Sequence, residues 1–160
     1  MNTLRSVAKQ LAVAFSATLC CFVISGCDYD FPITDGPTRK LDERLLGNWI
    51  SKDGKEKMKV RRLDDSTYVG SLDGDLFRAF HSDVAGTSFI SAQDIDSDER
   101  KFVYLAYTVS ADGERLGVRS VNDAVISKDT KDSASMQSLL QSSLQNPKLF
   151  DEEEQFTKEK

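Results

Sequence analysis

Asp53-Gly54-Lys55-Glu56-Lys57-Met58-Lys59-Val60-Arg61-Arg62-Leu63-Asp64-Asp65 is the stretch that decides how this chain folds. Met58 and Val60 share one face of an extended segment, and Lys57, Lys59 and Arg61 take the other. Residues two apart lie on one side only in a strand, so this alternation marks a strand with one buried and one wet face. Asp53-Gly54 ahead of it suits the positive φ of a tight hairpin, and Asp64-Asp65 behind it is a second turn.

The same unit repeats along the chain. Further breaks fall at Asp73-Gly74, Ala85-Gly86, Ser97-Asp98, Asp112-Gly113 and Asn122-Asp123, most of them 9 to 12 residues apart. They delimit strands at 46–51, 56–62, 66–72, 75–81, 87–93, 101–109 and 114–121, with a last one at 154–158. Turns this short leave no room for crossover helices. The pattern therefore predicts a mainly β fold, an antiparallel meander forming a small barrel or a strongly curved sheet. An eight-stranded barrel of this size is just wide enough to be filled by its own side chains.

Phe102-Val103-Tyr104-Leu105-Ala106-Tyr107-Thr108-Val109 is apolar on both faces, so its outer face must be covered. The cover expected is a C-terminal helix at about 132–145. Asp132 or Ser133 caps it, and Met136, Leu139, Leu140 and Leu144 form its apolar stripe. Asn146-Pro147 ends it, because proline cannot extend the ladder. Its other face is mostly Ser and Gln, and such a helix needs the sheet in order to form.

The N-terminus is of another kind. Arg5 and Lys9 are followed by a charge-free stretch whose apolar part runs from Leu11 to Ile24, 14 residues, and no acidic residue occurs before Asp28. That is the build of a secretory signal peptide, and it is short of the ~20 residues of a spanning helix. Ile24-Ser25-Gly26-Cys27 closes it and resembles the lipobox of bacterial lipoproteins. The resemblance implies cleavage before Cys27, a lipid on its thiol, and a periplasm-facing, lipid-anchored place in the cell envelope. In enteric-type bacteria Asp28 at the next position favours the inner membrane. Cys20 and Cys21 fall in the removed segment 1–26, so no thiol remains for a disulfide and stability must come from packing.

Residues 27–40, with Pro32, Gly36 and Pro37, read as the lipidated cysteine and a tether reaching about 40 Å when taut. Phe31 and Ile33 are its two candidates for docking on the domain. Residues 41–160 make one globular domain. The chain from Cys27 onward has 19 basic and 26 acidic residues, a formal charge of −7. That gives no electrostatic reason to bind nucleic acid or anionic lipid. The expected membrane contact is the lipid on Cys27, with the domain standing off the bilayer.

Gly47-Asn48-Trp49 resembles the Gly-x-Trp start of lipocalin-type barrels, and the order of strands followed by a helix is similar. The resemblance implies that Trp49 plugs the closed end, as the base of any ligand cavity.

Motifs that would carry chemistry are sparse. His81, the single histidine, stands in Phe80-His81-Ser82-Asp83, but neighbours on a strand face opposite ways, so a polar strand-end residue is expected rather than part of a triad. Asp94-Ile95-Asp96-Ser97-Asp98-Glu99 begins like a calcium loop and then fails, with Glu99 where the loop needs Gly and Leu105 where it needs Glu. An acidic solvated turn is expected there, and another at Asp151-Glu152-Glu153-Glu154. The sequence thus points to a non-enzymatic, membrane-anchored envelope lipoprotein without a cofactor, acting as a binding or interaction module for an envelope protein or other envelope component. The alternative is a lipocalin-like carrier of a small hydrophobic ligand.

Overall fold

The computed structural model describes residues 29–160. The leader, the lipobox residues up to Cys27, and Asp28 lie outside the described residues. Eight strands follow in order: β1 (Gly47–Ser51), β2 (Lys57–Arg62), β3 (Thr67–Leu72), β4 (Asp75–Val84), β5 (Thr87–Asp94), β6 (Phe102–Val109), β7 (Arg115–Ser120) and β8 (Glu154–Lys158). Each pairs antiparallel with the next, and β8 returns to β1 to close a barrel. The meander expected from the turn spacing is the one formed. Strand ends agree to about a residue, except that β4 runs on to Val84 and carries His81 and Ser82 inside the sheet.

Register follows the alternation in sequence. Met58 lies opposite Trp49 and Leu72, and Leu116 opposite Val109 and Phe156, so these residues point into the barrel. Gly70 faces inward between Val60 and Phe77. A Cβ there would stand 2.1 Å from the Lys59 carbonyl oxygen and 2.7 Å from the Phe77 ring, so only glycine lets the two strands and that ring coexist.

The outer wall has two characters. Around β2 it is wet, with Lys57, Lys59 and Arg61 exposed. Five strands have only five or six residues. A membrane-spanning barrel needs ~9–11 residues per strand and an apolar outer band, so this wall does not suit a bilayer interior.

Around β4 to β6 the outer wall is apolar and covered. Phe80, Val84, Phe89, Phe102 and Tyr104 form one core with residues from outside the barrel. A helix, α1 (Ser133–Ser143), contributes Met136 and Leu140, and the rest of the β7–β8 connection contributes Val121, Ile126 and Leu149. Asp132 caps α1, accepting from the Ser135 amide. The stripe is narrower than expected. Met136 and Leu140 are buried and Leu144 packs at the edge, but Leu139 is 39% exposed. A helix of three turns touching β4 on one flank buries a single i, i+4, i+8 row.

The rest of the cover comes from the segment read as a tether. Tyr29 exchanges backbone hydrogen bonds with Phe102 on the free edge of β6, and its ring stacks on Tyr104. Ile33 is fully buried and its amide donates to Ser91 Oγ, while Phe31 stays 37% exposed. Thr34 Oγ1 donates to Ser82 Oγ, and the Thr38 amide donates to the His81 carbonyl. Residues 29–41 thus run down the barrel wall as part of the domain. Of the two docking candidates in this proline- and glycine-containing segment only Ile33 is buried, and it shares its apolar site on β4 to β6 with Tyr29.

Candidate functional site

The barrel has a sealed base and an open mouth. At the base, Asp42 caps a short 3-10 turn, Glu43–Leu45, which folds under the strands. Leu41, Leu45 and Trp49 pack there with Tyr68, Ile90 and Leu116. Trp49 is fully buried, and its indole N–H donates to the Leu45 carbonyl at 2.9 Å. The Lys158 ammonium lies 4.8 Å from its ring centroid and donates to the Arg44 carbonyl. A buried indole needs a partner for its N–H, and the 3-10 turn supplies one.

Toward the mouth the inner side chains are only partly buried: Met58, Leu72, Phe77, Val103 and Val118. The mouth is the end carrying the β1–β2, β3–β4, β5–β6 and β7–β8 connections. Between mouth and base lies a cavity of about 80 Å³, lined by apolar and aromatic side chains including Leu45, Met58, Phe77, Ala79, Ala92 and Leu105. Ala79 and Ala92 face each other across β4 and β5, and their small side chains leave much of this room. Trp49 is not among the lining residues, whereas Leu45 and Tyr68, which belong to the same core cluster, are.

No match to this chain was found among family models, curated proteins or solved structures.

Volume decides how the cavity can be used. Pockets for drug-sized ligands measure ~300–1,000 Å³. An engineered cavity of ~150 Å³ admits benzene. A slot of about 80 Å³ seats the tip of one slim apolar group and leaves the rest of it outside.

Two carboxylates stand at the mouth. Glu154 lies opposite Val118, on the inner side of β8, and burial together with Glu56 and Asp53 raises its pKa. Burial likewise raises Glu56, with Asp73 and Asp53 adding to it. Of the acidic run at 151–154, the first three residues are exposed and Glu154 turns inward. The mouth is thus negative above an apolar slot, which disfavours anionic ligands.

His81 is more than a polar strand end. It is fully buried near the base, with Tyr68 Oη at 2.9 Å from Nε2 and Arg39 Nη2 at 3.1 Å from Nδ1. A guanidinium can only donate, so Nδ1 accepts and the neutral ring carries its proton on Nε2. Tyr68 Oη in turn accepts from the Asp42 amide. Arg39 also donates to Tyr107 Oη at 3.0 Å and lies 3.7 Å from Asp83. Burial first, and then Arg39, lower the His81 pKa from 6.5 to about 4, against opposing pulls from Asp83 and Asp42. The ring is neutral at physiological pH and fully engaged. It locks the docked segment, through Arg39, onto β3, β4 and β6.

Ser82 points the other way, as strand geometry requires, with its hydroxyl 2.9 Å from Ser91 Oγ. The 94–99 turn is organised by Asp94, whose Oδ1 accepts from the Asp96 and Ser97 amides; these bonds lower its pKa. Among the described residues no group of three or more His, Cys, Asp or Glu is placed to hold a metal ion.

The Arg39–His81–Tyr68 cluster was not legible in sequence. Its members are 13 and 42 residues apart. No local spacing marks them, because the barrel's closure brings them together.

Proposed function

We propose that the protein is a lipid-anchored lipoprotein of a bacterial cell envelope that acts as a non-enzymatic binding module, seating the tip of one apolar group in the mouth of its barrel. The lipobox-like Ile24-Ser25-Gly26-Cys27 supports the anchor, and Asp28 favours the inner membrane, with the domain facing the periplasm. The single observation that carries the binding reading is the wholly apolar slot of about 80 Å³, sealed at the Trp49 end and open at the other. The partner offers an apolar side chain or chain end without a negative charge beside it, since Glu56 and Glu154 border the mouth.

The second reading is a lipocalin-like carrier of a whole hydrophobic ligand. The apolar lining and the buried Trp49 beneath it favour that reading, and the volume opposes it.

Calorimetric titration with linear alkanols, from butanol to dodecanol, separates the two. Each buried CH₂ contributes about 0.8 kcal/mol, so affinity climbs with chain length for as long as the cavity has room. A tip-binding slot gives a gain that stops after the first few carbons and disappears in Ala92→Leu. Affinity that climbs through dodecanol establishes the carrier and overturns the module. Failure of every alkanol to bind overturns the slot altogether.

A further inference from the structure

The docked segment fixes which end of the barrel meets the membrane. Tyr29 sits at the start of β6, bridged to Phe102, and its hydroxyl donates to the Ile126 carbonyl in the β7–β8 connection. That is the mouth end. From there the chain descends past Ile33 on Ser91 and Thr38 on His81, and reaches the base where the Leu41 amide donates to the Asp65 carbonyl in the β2–β3 turn. Only Asp28 separates Tyr29 from Cys27. Two Cα–Cα steps of 3.80 Å put the lipid-bearing residue within about 8 Å of the mouth rim. The base is a barrel length further, about 20 Å for tilted strands of eight residues.

Resting on the proposed lipid anchor, we infer that the barrel is held mouth-down against the bilayer surface, so that its apolar slot opens toward the lipid headgroups. A 40 Å tether would leave orientation free, but the tether is built into the wall. Phe31 and Leu76, 37% and 44% exposed, lie on the mouth half of the barrel. The most exposed apolar residue, Leu63 at 59%, lies at the base, out of the anchor's reach. The surface engaged is the zwitterionic headgroup layer, because a chain with net charge −7 after cleavage gains nothing from anionic lipid. A slot so placed is open to an apolar side chain that a partner protein presents next to its own membrane anchor.

The test uses the full lipidated chain in vesicles of phosphatidylethanolamine with a minor share of phosphatidylglycerol and a headgroup nitroxide lipid. The sequence beyond Cys27 lacks cysteine. A single fluorophore can therefore be placed at the mouth by Lys55→Cys or at the base by Ala111→Cys. The expected result is several-fold stronger nitroxide quenching at position 55 than at 111. A long Gly/Ser insertion between Asp28 and Tyr29 should erase the difference. Equal quenching at both positions in membrane-bound protein, or stronger quenching at 111, overturns the orientation and leaves the anchor standing. Protein that stays soluble with Cys27 intact overturns both.

Discussion

Tyr29 and Tyr104 stack with ring centroids 4.1 Å apart and planes inclined by 18°. Both are almost completely buried, Tyr29 at 1% exposure and Tyr104 at 0%. The pair joins the first described residue of the chain to the middle of β6. The Tyr104 hydroxyl donates to the Phe31 carbonyl and adds a second tie. Removing Tyr29 would strip one face of Tyr104 and leave a hole the size of a ring. Tyr29→Ala is expected to cost about 3 kcal/mol in urea unfolding. A domain begun at Leu41 loses Tyr29, Ile33 and Arg39 together and should be less stable still. Wild-type stability in that truncated form would refute the docked arrangement.

The helix offers a paired test. Leu140 is fully buried against the outer wall and Leu139 is 39% exposed. Leu140→Ala should cost roughly 2–5 kcal/mol. Leu139→Ala should stay within about 0.5 kcal/mol. Equal losses in chemical denaturation would mean that α1 is rotated about its axis.

His81 gives the fold a pH dependence of definite sign. Its pKa is about 4 in the folded protein and 6.5 as its ordinary value, so the unfolded chain binds more protons between them. Stability is full above pH 6.5 and falls as pH drops toward 4. For these two values the loss between pH 7.5 and 5.5 is about 1.3 kcal/mol. Burial disfavours the charged ring first, and protonating Nδ1 would in addition set an N–H against the Arg39 guanidinium. Glu56 and Glu154, with raised pKa values, act in the opposite direction at lower pH. Urea titrations at the two pH values measure the change, and His81→Gln should flatten it. A flat profile in the wild type would show that the ring is not sealed.

Ala85 offers a gain. The two-residue turn joining Val84 to Thr87 holds Ala85 at φ 48° and Gly86 at φ 82°. A left-handed alanine costs roughly 1–2 kcal/mol, and asparagine tolerates that conformation better. Ala85→Asn should raise stability by about 0.5–1 kcal/mol and leave the barrel unchanged. A decrease in melting temperature would contradict the turn assignment.

The sequence by itself determined the local and periodic features. Asp-Gly turns at regular intervals and period-two alternation, as at Met58 and Val60, specify strands, their order and their inner face. These signals are legible because each depends on neighbours within a few residues. The doubly apolar Phe102–Val109 likewise announced that something must cover it, and Asp132 with Met136 and Leu140 announced a helix.

Tertiary structure alone decided the rest. Nothing near Tyr29 says that it will stack on a residue 75 positions away, although Ile33, legible as a docking candidate, is buried beside it. Nothing near Arg39 or His81 announces their contact, because it exists only once the wall segment reaches the base. Whether Leu139 or Leu140 faced inward depended on how far a short helix rotates on its sheet. The size of the slot was equally hidden. It is the small remainder between the barrel's circumference and the bulk of Met58, Phe77 and Leu105, opened by Ala79 and Ala92. Such a remainder follows from closing eight strands into one ring, which no single stretch of sequence encodes.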